Sequence, residues 1–404
     1  MDAVNPAVFR AYDIRGVYGV DFDTAFAQRL ARHLATHLGA GTLIVGRDGR
    51  PSSSELSRAV TEGFLDTGAK VIDVGEVSSP QFYWAVRTMG AAGGIMVTAS
   101  HNPSGQNGFK AMARRGEILD VLGGPEMRQI YDSHGGAHKS GGSVQSSDII
   151  PGYSAAVAYA ADWRGGVEIP CAIEAPRAVS RVLERLGPIA PDDGLAARFD
   201  ADGDRIAFFD HGMPVPADLI LLMLADRMEL PSVVAELRCS RIVVERLSQK
   251  NVSLTRSRVG RLYMTQAMHA TGAALGGELS GHFYWHSFGG MECPELTFLT
   301  VIRLVRDSGV SLAQLIKPYQ KYYRSEEINI PLRDLKEASH IRQLLERRFS
   351  GCPMDRTDGL SLDCGDYWFN LRPSNTEALL RLVVESKRKD LLERHIQEIR
   401  GLLH

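Results

Sequence analysis

The chain has 404 residues, 44% hydrophobic and 23% charged, and its 46 basic and 48 acidic side chains leave a net charge of −2. That balance excludes a strongly basic nucleic-acid surface and a charged tail, and no apolar run approaches the ~18 residues a membrane span needs. The length predicts roughly two to four domains.

Taken in chain order, apolar periodicity predicts a helix over 24–38, a strand at Leu43–Val45, a helix over 54–66, a strand at Val71–Val74 and a buried strand at Gly93–Val97. This is the alternation of a doubly wound α/β unit. The Gly/Ser-rich stretch from His134 to Ser147 reads as a loop or linker. Pro170–Glu174, a helix over 177–186 and Leu195–Phe199 then form a small β-α-β unit, continued by a strand over 205–210. Past Pro214-Val215-Pro216 come a helix over 218–228, a strand at Ile242–Val244 and a glycine-rich loop around Glu278. The last part shows a strand at Ile328–Ile330, a helix over 338–348, three strands and a closing helix over 390–403. The units implied are 1–148, 149–213, 214–324 and 325–404. Met1–Asn5 shows no basic-then-apolar leader, so a cytoplasmic protein is expected. Cys171, Cys239, Cys293, Cys352 and Cys364 are odd in number and contain no Cys-x-x-Cys pair, which implies neither a disulfide framework nor a zinc site.

Four blocks carry chemistry. Ser100, in Thr98-Ala99-Ser100-His101-Asn102-Pro103, sits where a buried strand meets an Asn-Pro turn, at the sheet edge where ligands of open α/β folds bind. A phosphorylated serine there carries about −1.5 to −2 charges and needs a cation. Asp200, Asp202 and Asp204 alternate in Asp200-Ala201-Asp202-Gly203-Asp204-Arg205; on an extended segment they share one face, a good arrangement of hard oxygen ligands for Mg²⁺. Gly276-Gly277-Glu278-Leu279-Ser280-Gly281-His282 surrounds a carboxylate, a hydroxyl and an imidazole with glycines, which suits a loop against a polyhydroxy ligand. Arg372-Pro373-Ser374-Asn375-Thr376 gathers the donors of a phosphate clamp. Each block has a plainer use: Ser100 as a helix cap, the aspartates as a solvated turn, His282 as a structural residue. A calcium loop is unsuitable, since Arg205 stands where its glycine belongs and His211 where its glutamate belongs. Asp200-x-Asp202-Gly203 also resembles the nucleophile motif of haloacid-dehalogenase-type phosphotransferases, a rival that leaves Ser100 without a role.

Together with Phe9-Arg10-Ala11-Tyr12-Asp13-Ile14-Arg15-Gly16 and Asn107-Gly108-Phe109-Lys110, these blocks resemble the α-D-phosphohexomutase superfamily, and within it the bacterial phosphomannomutase/phosphoglucomutase group. The resemblance covers nearly the whole chain. It implies an α/β fold of three αβα domains, the second reduced, and a smaller α+β carboxyl-terminal domain around a central cleft. It also implies an isomerase that interconverts hexose 1-phosphate and hexose 6-phosphate through a phosphoserine and a hexose 1,6-bisphosphate, the latter also an activator, with Mg²⁺ as cofactor.

By the same resemblance, Ser100 is the phosphoserine and a metal contact, with Asp200, Asp202 and Asp204 as metal ligands. Glu278, Ser280 and His282 read the sugar hydroxyls, and Arg372, Ser374, Asn375, Thr376 and Arg381 hold the non-reacting phosphate. Arg15, His101, Lys110 and Arg205 line the reacting end, and Lys110 or His282 is the general base if its pKa is brought near neutrality. The partner is a small sugar phosphate, with neither nucleic acid nor membrane expected.

The chain also departs from that pattern. Ile173-Glu174-Ala175-Pro176 replaces a glycine-rich turn in a shortened second unit, which is expected to lean on neighbouring domains or on a second subunit as a homodimer. Glu292-Cys293-Pro294 stands near a usual Asp-Gly pair, and Arg238 and Arg261 stand where a lysine and often a histidine are expected. Altered substrate scope, toward another sugar or a cyclitol phosphate, and a non-catalytic phosphate- or metal-binding role are the alternatives these changes raise.

Overall fold

In the computed structural model, which describes residues 5–39, 41–133, 138–191, 194–332, 335–374 and 378–402, the first unit is a sheet with helices on both faces. Its elements are β1 Ile14–Val17, α1 Thr24–Leu38, β2 Thr42–Arg47, α2 Ser53–Leu65, β3 Lys70–Glu76, α3 Ser79–Thr88, β4 Gly93–Val97, β5 Gln106–Arg115, β6 Ile118–Leu122, α4 Gly124–Asp132 and β7 Ser143–Ser146. Strand order is β1-β5-β4-β2-β3-β7, with β6 on β5. β4, β2, β3 and β7 are parallel, and β5 returns antiparallel beside β4, with Met96 opposite Lys110. Every residue of β4 is buried, as a central parallel strand demands. In α1 the Asp23 carboxylate caps Phe26 N–H, Phe26, Leu30 and Leu34 face the core, and Gly39 ends the helix at φ 85°.

The predicted helices and strands of this unit form, and the structure adds β1, α3, β5, β6, α4 and β7 to them. α3 lacks a polar face, because Pro80, Gln81, Phe82, Tyr83, Ala85 and Val86 are all buried, so amphipathic periodicity does not reveal it. Part of the expected linker is β7, which pairs with β3.

The second unit holds α5 Ile150–Ala160, β8 Ile169–Pro170, β9 Ala172–Glu174, α6 Arg177–Leu186, β10 Ile189–Ala190, β11 Leu195–Phe199, β12 Ile206–Asp210 and β13 Met213–Val215. β8 pairs only with β10, so the single strand expected at Pro170–Glu174 is divided between two sheets; β13-β12-β11-β9 is the other. One continuous apolar core runs from Ile150 through Val182, Phe199 and Phe208 to Leu221, Phe298 and Tyr319, so this small unit does lean on the next one.

The third unit comprises α7 Ala217–Arg227, β14 Ser232–Glu236, α8 Arg241–Gln249, β15 Ser253–Ser257, α9 Arg261–Thr271, β16 Leu275–Gly277, β17 Phe283–Trp285, β18 Met291–Glu292, α10 Pro294–Ser308 and α11 Leu312–Ile316. Its sheet runs β15-β14-β16-β17-β18. Ile242–Val244 is helical, not a strand. The β-branched trio favours a strand, but Ser240 caps the first turn of α8 and Ile242, Val243 and Leu247 pack inward from it.

The last unit contains β19 Tyr323–Arg324, β20 Ile328–Pro331, α12 Leu335–Arg348, β21 Met354–Asp355, β22 Leu360–Asp363, β23 Tyr367–Pro373, β24 Leu379–Ser386 and α13 Lys389–Gly401. Its antiparallel sheet brings Arg372 opposite Arg381. Cys352 and Cys364 form a disulfide, contrary to the expectation from cysteine counting. Pairing of Met354 with Leu362 and the Asp363 N–H bond to Pro353 O bring the two Cα atoms to 5.0 Å. Sequence parity says nothing of that approach.

Candidate active site

β4 leads into Ser100, and β5 carries Lys110. Ser100 follows β4 at φ 55°, a left-handed conformation costly for serine, and is 2% exposed. Its N–H donates to Thr98 Oγ1 at 2.9 Å and its Oγ lies 3.2 Å from His101 Nδ1. Partial burial, then the positive Arg205 and Arg15, lower His101 to about 4, so its ring is neutral near pH 7. Arg15 is braced on Asp13 and donates to Asn102 Oδ1 at 2.8 Å.

The aspartates do not lie along an extended segment as expected. β11 ends at Phe199, and residues 201–204 form a turn in which Gly203 takes φ 67°. Asp200 Oδ1 accepts from the N–H groups of Asp204 and Arg205 at 3.1 and 3.2 Å, closing the turn so that the carboxylates converge. Ligand atoms from Asp200, Asp202 and Asp204 lie within 4.8 Å of one another.

Lys110 Nζ, fully buried, donates to Asp202, to Asp204 Oδ2 at 2.7 Å and to Ser79 Oγ at 3.1 Å. Burial and the nearby Arg261 pull the ammonium pKa down, but Asp202 and Asp204 outweigh them and hold it above its ordinary value. Lys110 is thus paired as a cation with both carboxylates. Burial pushes the three carboxyls up. Asp200, with Asp204 and Asp202 beside it, stays well above the usual carboxylate range, while Lys110 holds Asp202 below it and Lys110 with Arg261 holds Asp204 well below.

Asp200 Oδ2, Asp202 Oδ1 and Asp204 Oδ1 are each buried without a hydrogen-bond partner among the described residues. One orphaned oxygen on each of three converging carboxylates fits a hard divalent cation.

The glycine-rich loop joins β16 to β17 and reaches the same place. Glu278 is buried: Oε1 accepts from Gly260 N–H at 2.7 Å and Oε2 from Tyr284 Oη at 2.6 Å. His282 Nδ1 is 2.8 Å from the exposed Ser280 Oγ, and its Nε2 accepts from Arg205 Nε at 3.3 Å and lies 3.5 Å from Asp204 Oδ1. On β23, Arg372 is 5% exposed, its Nε has no partner among the described residues, and burial with the neighbouring Arg238 lowers its pKa. Arg381 pairs with Glu327 at 3.1 Å. Ser374 N–H closes the strand end on Leu379 O at 2.8 Å. Asn375 and Thr376 lie outside the described residues.

Residues that the sequence reading did not single out tie the units together. The peptide of Val259 accepts from Tyr12 Oη at 3.1 Å and donates to Asp358 Oδ2 at 2.9 Å, linking the first, third and fourth units at one point. Gly260 beside it takes φ 115°, and a Cβ there would meet Tyr12 Oη at 2.5 Å. The Tyr12 of the amino-terminal motif and the Gly260 before α9 were the available signals.

Residues 6–132 match the phosphoglucomutase/phosphomannomutase alpha/beta/alpha domain I, 216–322 its domain III and 327–402 its C-terminal domain. Phosphohexose mutases of Xanthomonas campestris pv. campestris are 30% identical, with 98% of each chain covered. The chain belongs to the phosphoglucomutase/phosphomannomutase family of α-D-phosphohexomutases. A phosphomannomutase of Methanocaldococcus jannaschii is 29% identical over 98% of this chain and 97% of its own. The crystal structure of a phosphoglucomutase/phosphomannomutase family protein from Burkholderia thailandensis shares the fold, with a TM-score of 0.86, 23% identity, and 99% and 98% of the two chains covered. The Xanthomonas alignment runs over 448 positions against 404 residues here, so that phosphohexomutase carries segments this one lacks.

In this phosphohexomutase Arg261 and Arg238, singled out in the sequence, are both held in buried ion pairs. Arg261 contacts both Asp204 and Glu292, over the face of Tyr83 at 5.4 Å, and Arg238 contacts Glu236 and Glu327.

Proposed function

We propose that the protein is a hexose-phosphate mutase that moves a phosphoryl group between O1 and O6 of mannose or glucose phosphates through Ser100, aided by Mg²⁺ and a hexose 1,6-bisphosphate activator. The observation that carries this reading is the convergence of Lys110 with three aspartates, each with a buried oxygen that has no hydrogen-bond partner among the described residues, within electrostatic reach of His101 in the Ser100 loop. In the forward step the sugar hydroxyl oxygen bonds to phosphorus as the Ser100 Oγ–P bond breaks, and the hydroxyl proton ends on the freed Ser100 Oγ. The bisphosphate then turns over, its second phosphoryl passes to Ser100 Oγ, and the serine proton leaves. His101 Nδ1, 3.2 Å from that oxygen, is placed to orient it.

Asp200, Asp202 and Asp204 would hold the divalent ion, which when bound supplies positive charge beside the transferring phosphoryl group. Lys110 adds a fixed positive charge, and Arg15 and Arg205 complete the basic rim. Arg372 supports the clamp for the distal phosphate because its guanidinium is buried and its Nε has no partner among the described residues. Ser280 and His282 would present a hydroxyl and an imidazole to the sugar, and Glu278, whose carboxylate is held by Gly260 and Tyr284, would support the loop from beneath. The four units proposed are 1–148, 149–213, 214–324 and 325–404, and the segments missing relative to the longer relatives are assigned to the second.

The test is turnover of mannose 1-phosphate, glucose 1-phosphate and glucosamine 1-phosphate with Mg²⁺ and bisphosphate, alongside a phosphopeptide map of the native chain and Ser100→Ala. Phosphate on Ser100 and loss of turnover in Ser100→Ala support the reading. Negligible turnover of all three sugars by a protein phosphorylated at Ser100 would favour a binding role instead. The Arg261–Glu292 and Arg238–Glu236 pairs favour one second reading, a mutase for a different sugar or cyclitol phosphate.

A further inference from the structure

The segment after β2, Asp48-Gly49-Arg50-Pro51-Ser52-Ser53, has no part in the chemistry described so far, yet it holds the Ser100 loop from behind. Arg50 has a side chain 9% exposed, and all five of its guanidinium N–H donors are used. Nε donates to Asp48 Oδ2 at 3.0 Å. Nη1 donates to Pro103 O at 2.8 Å and Gln106 O at 3.0 Å, and Nη2 to Ser100 O at 2.5 Å and Asn102 O at 2.7 Å. One planar cation thus fixes four carbonyls of the turn that begins at Ser100.

The anchor beneath it is itself fixed. Asp48, 6% exposed, accepts at Oδ1 from Ser53 Oγ at 2.5 Å and from Arg50 N–H at 3.1 Å. Asn107, at the start of β5, donates to Ser52 Oγ at 2.8 Å and Ser53 Oγ at 3.0 Å. The network therefore runs from the carboxyl end of β2 through the first turn of α2 to the far side of the Ser100 loop.

We propose that Arg50 is the positioning residue for phosphoryl transfer at Ser100. Serine does not hold a left-handed backbone unless its surroundings over-determine it, and the bond from Nη2 to the Ser100 carbonyl does this directly. Because the peptide is planar, fixing that carbonyl also fixes the direction of the His101 N–H on the opposite side. Arg50 works entirely through backbone atoms of the loop. A lysine at this position would offer three donors to five acceptors.

The inference rests on Ser100 being the phosphoryl carrier. Arg50→Lys, loaded on Ser100 with glucose 1,6-bisphosphate, is expected to lose about 10²-fold in kcat for glucose 1-phosphate, the scale of a misplaced reacting group. Its KM should stay within about threefold, because the distal clamp is untouched. Arg50→Ala should lose more and regain at least about fivefold in kcat with millimolar guanidinium, a recovery that a general loss of folding does not give. If Arg50→Ala does not fold, Asp48→Asn, which frees Nε, should lower kcat about tenfold at unchanged KM.

A kcat for Arg50→Lys close to the native value, a loss confined to KM, no guanidinium recovery in folded Arg50→Ala, or an unchanged kcat in Asp48→Asn overturns the inference. The two failures are distinguishable. A native protein without phosphate on Ser100, matched in turnover by Ser100→Ala, defeats the reading of the site and this inference with it. A phosphorylated native protein matched by Arg50→Lys defeats this inference alone.

Discussion

Arg261 Nε donates to Glu292 Oε1 at 2.5 Å while the same guanidinium reaches Asp204, so one buried cation joins the aspartate turn to β18. Neither charge is tolerable alone, because Glu292 is 1% exposed and Asp204 equally so. The two side chains therefore read as a matched pair.

Arg261→Met leaves two buried carboxylates short of a cation and is expected to cost about 3–5 kcal/mol of stability. Arg261→Met combined with Glu292→Met should cost less than the sum of the single changes by more than about 1 kcal/mol. Urea unfolding of the four proteins measures this; additive losses would show that the two sites are independent.

Asp200→Asn, Asp202→Asn and Asp204→Asn each remove charge from the converging carboxylates. Calorimetric titration of the native protein with Mg²⁺ should give one saturable site, weakened at least about tenfold in Asp202→Asn. Retention of native affinity by all three variants would place the ion elsewhere.

Glu295 sits at the junction of the first three units, accepting from Tyr153 Oη at 2.9 Å and Gln81 Nε2 at 3.3 Å. Burial pushes it from 4.5 up to about 7, against hydrogen bonds that favour the charge. Between those values the folded state keeps a proton that the unfolded chain has released. Its stabilising contribution is whole below pH 4.5 and is lost as pH rises through 7. Glu295→Gln should flatten that part of the stability profile and melt higher than the native protein at about pH 8. Thermal melts across the range decide it, and an unchanged slope in the variant would assign the dependence to other groups.

The Cys352–Cys364 bridge closes a segment with a sequence separation of 12. Its reduction should lower the stability of the carboxyl-terminal unit by about 2–3 kcal/mol. Melting with and without a thiol reductant, with Cys352→Ser as the control, measures the difference. A melting point indifferent to reductant would show that the bridge adds no stability.

Much of the first unit is visible in local pattern. α1, β2, α2, β3 and β4 appear where apolar spacing places them, because each buries one face or both in a regular way. α3 escapes, since a helix buried all round has no alternation to read, and Ile242–Val244 misleads because intrinsic β preference is weaker than the capped, core-facing turn it joins. At the site, the Ser100, Asp200 and Glu278 blocks announce themselves as motifs. The Arg50 clamp does not, for its acceptors are backbone carbonyls some fifty residues away, which carry no side-chain signature.

By itself the sequence determined the chemical inventory: one serine at a strand end, three alternate aspartates, a glycine-rich loop with Glu278, Ser280 and His282, the Arg372 block, and the family to which the chain belongs. Tertiary structure decided which charges meet. Lys110 becomes a fixed cation only because β5 returns beside β4 and carries it to Asp202 and Asp204 from about ninety residues away. The energy of a buried charge depends on its few nearest neighbours after packing, and packing joins residues whose separation along the chain gives no hint of contact.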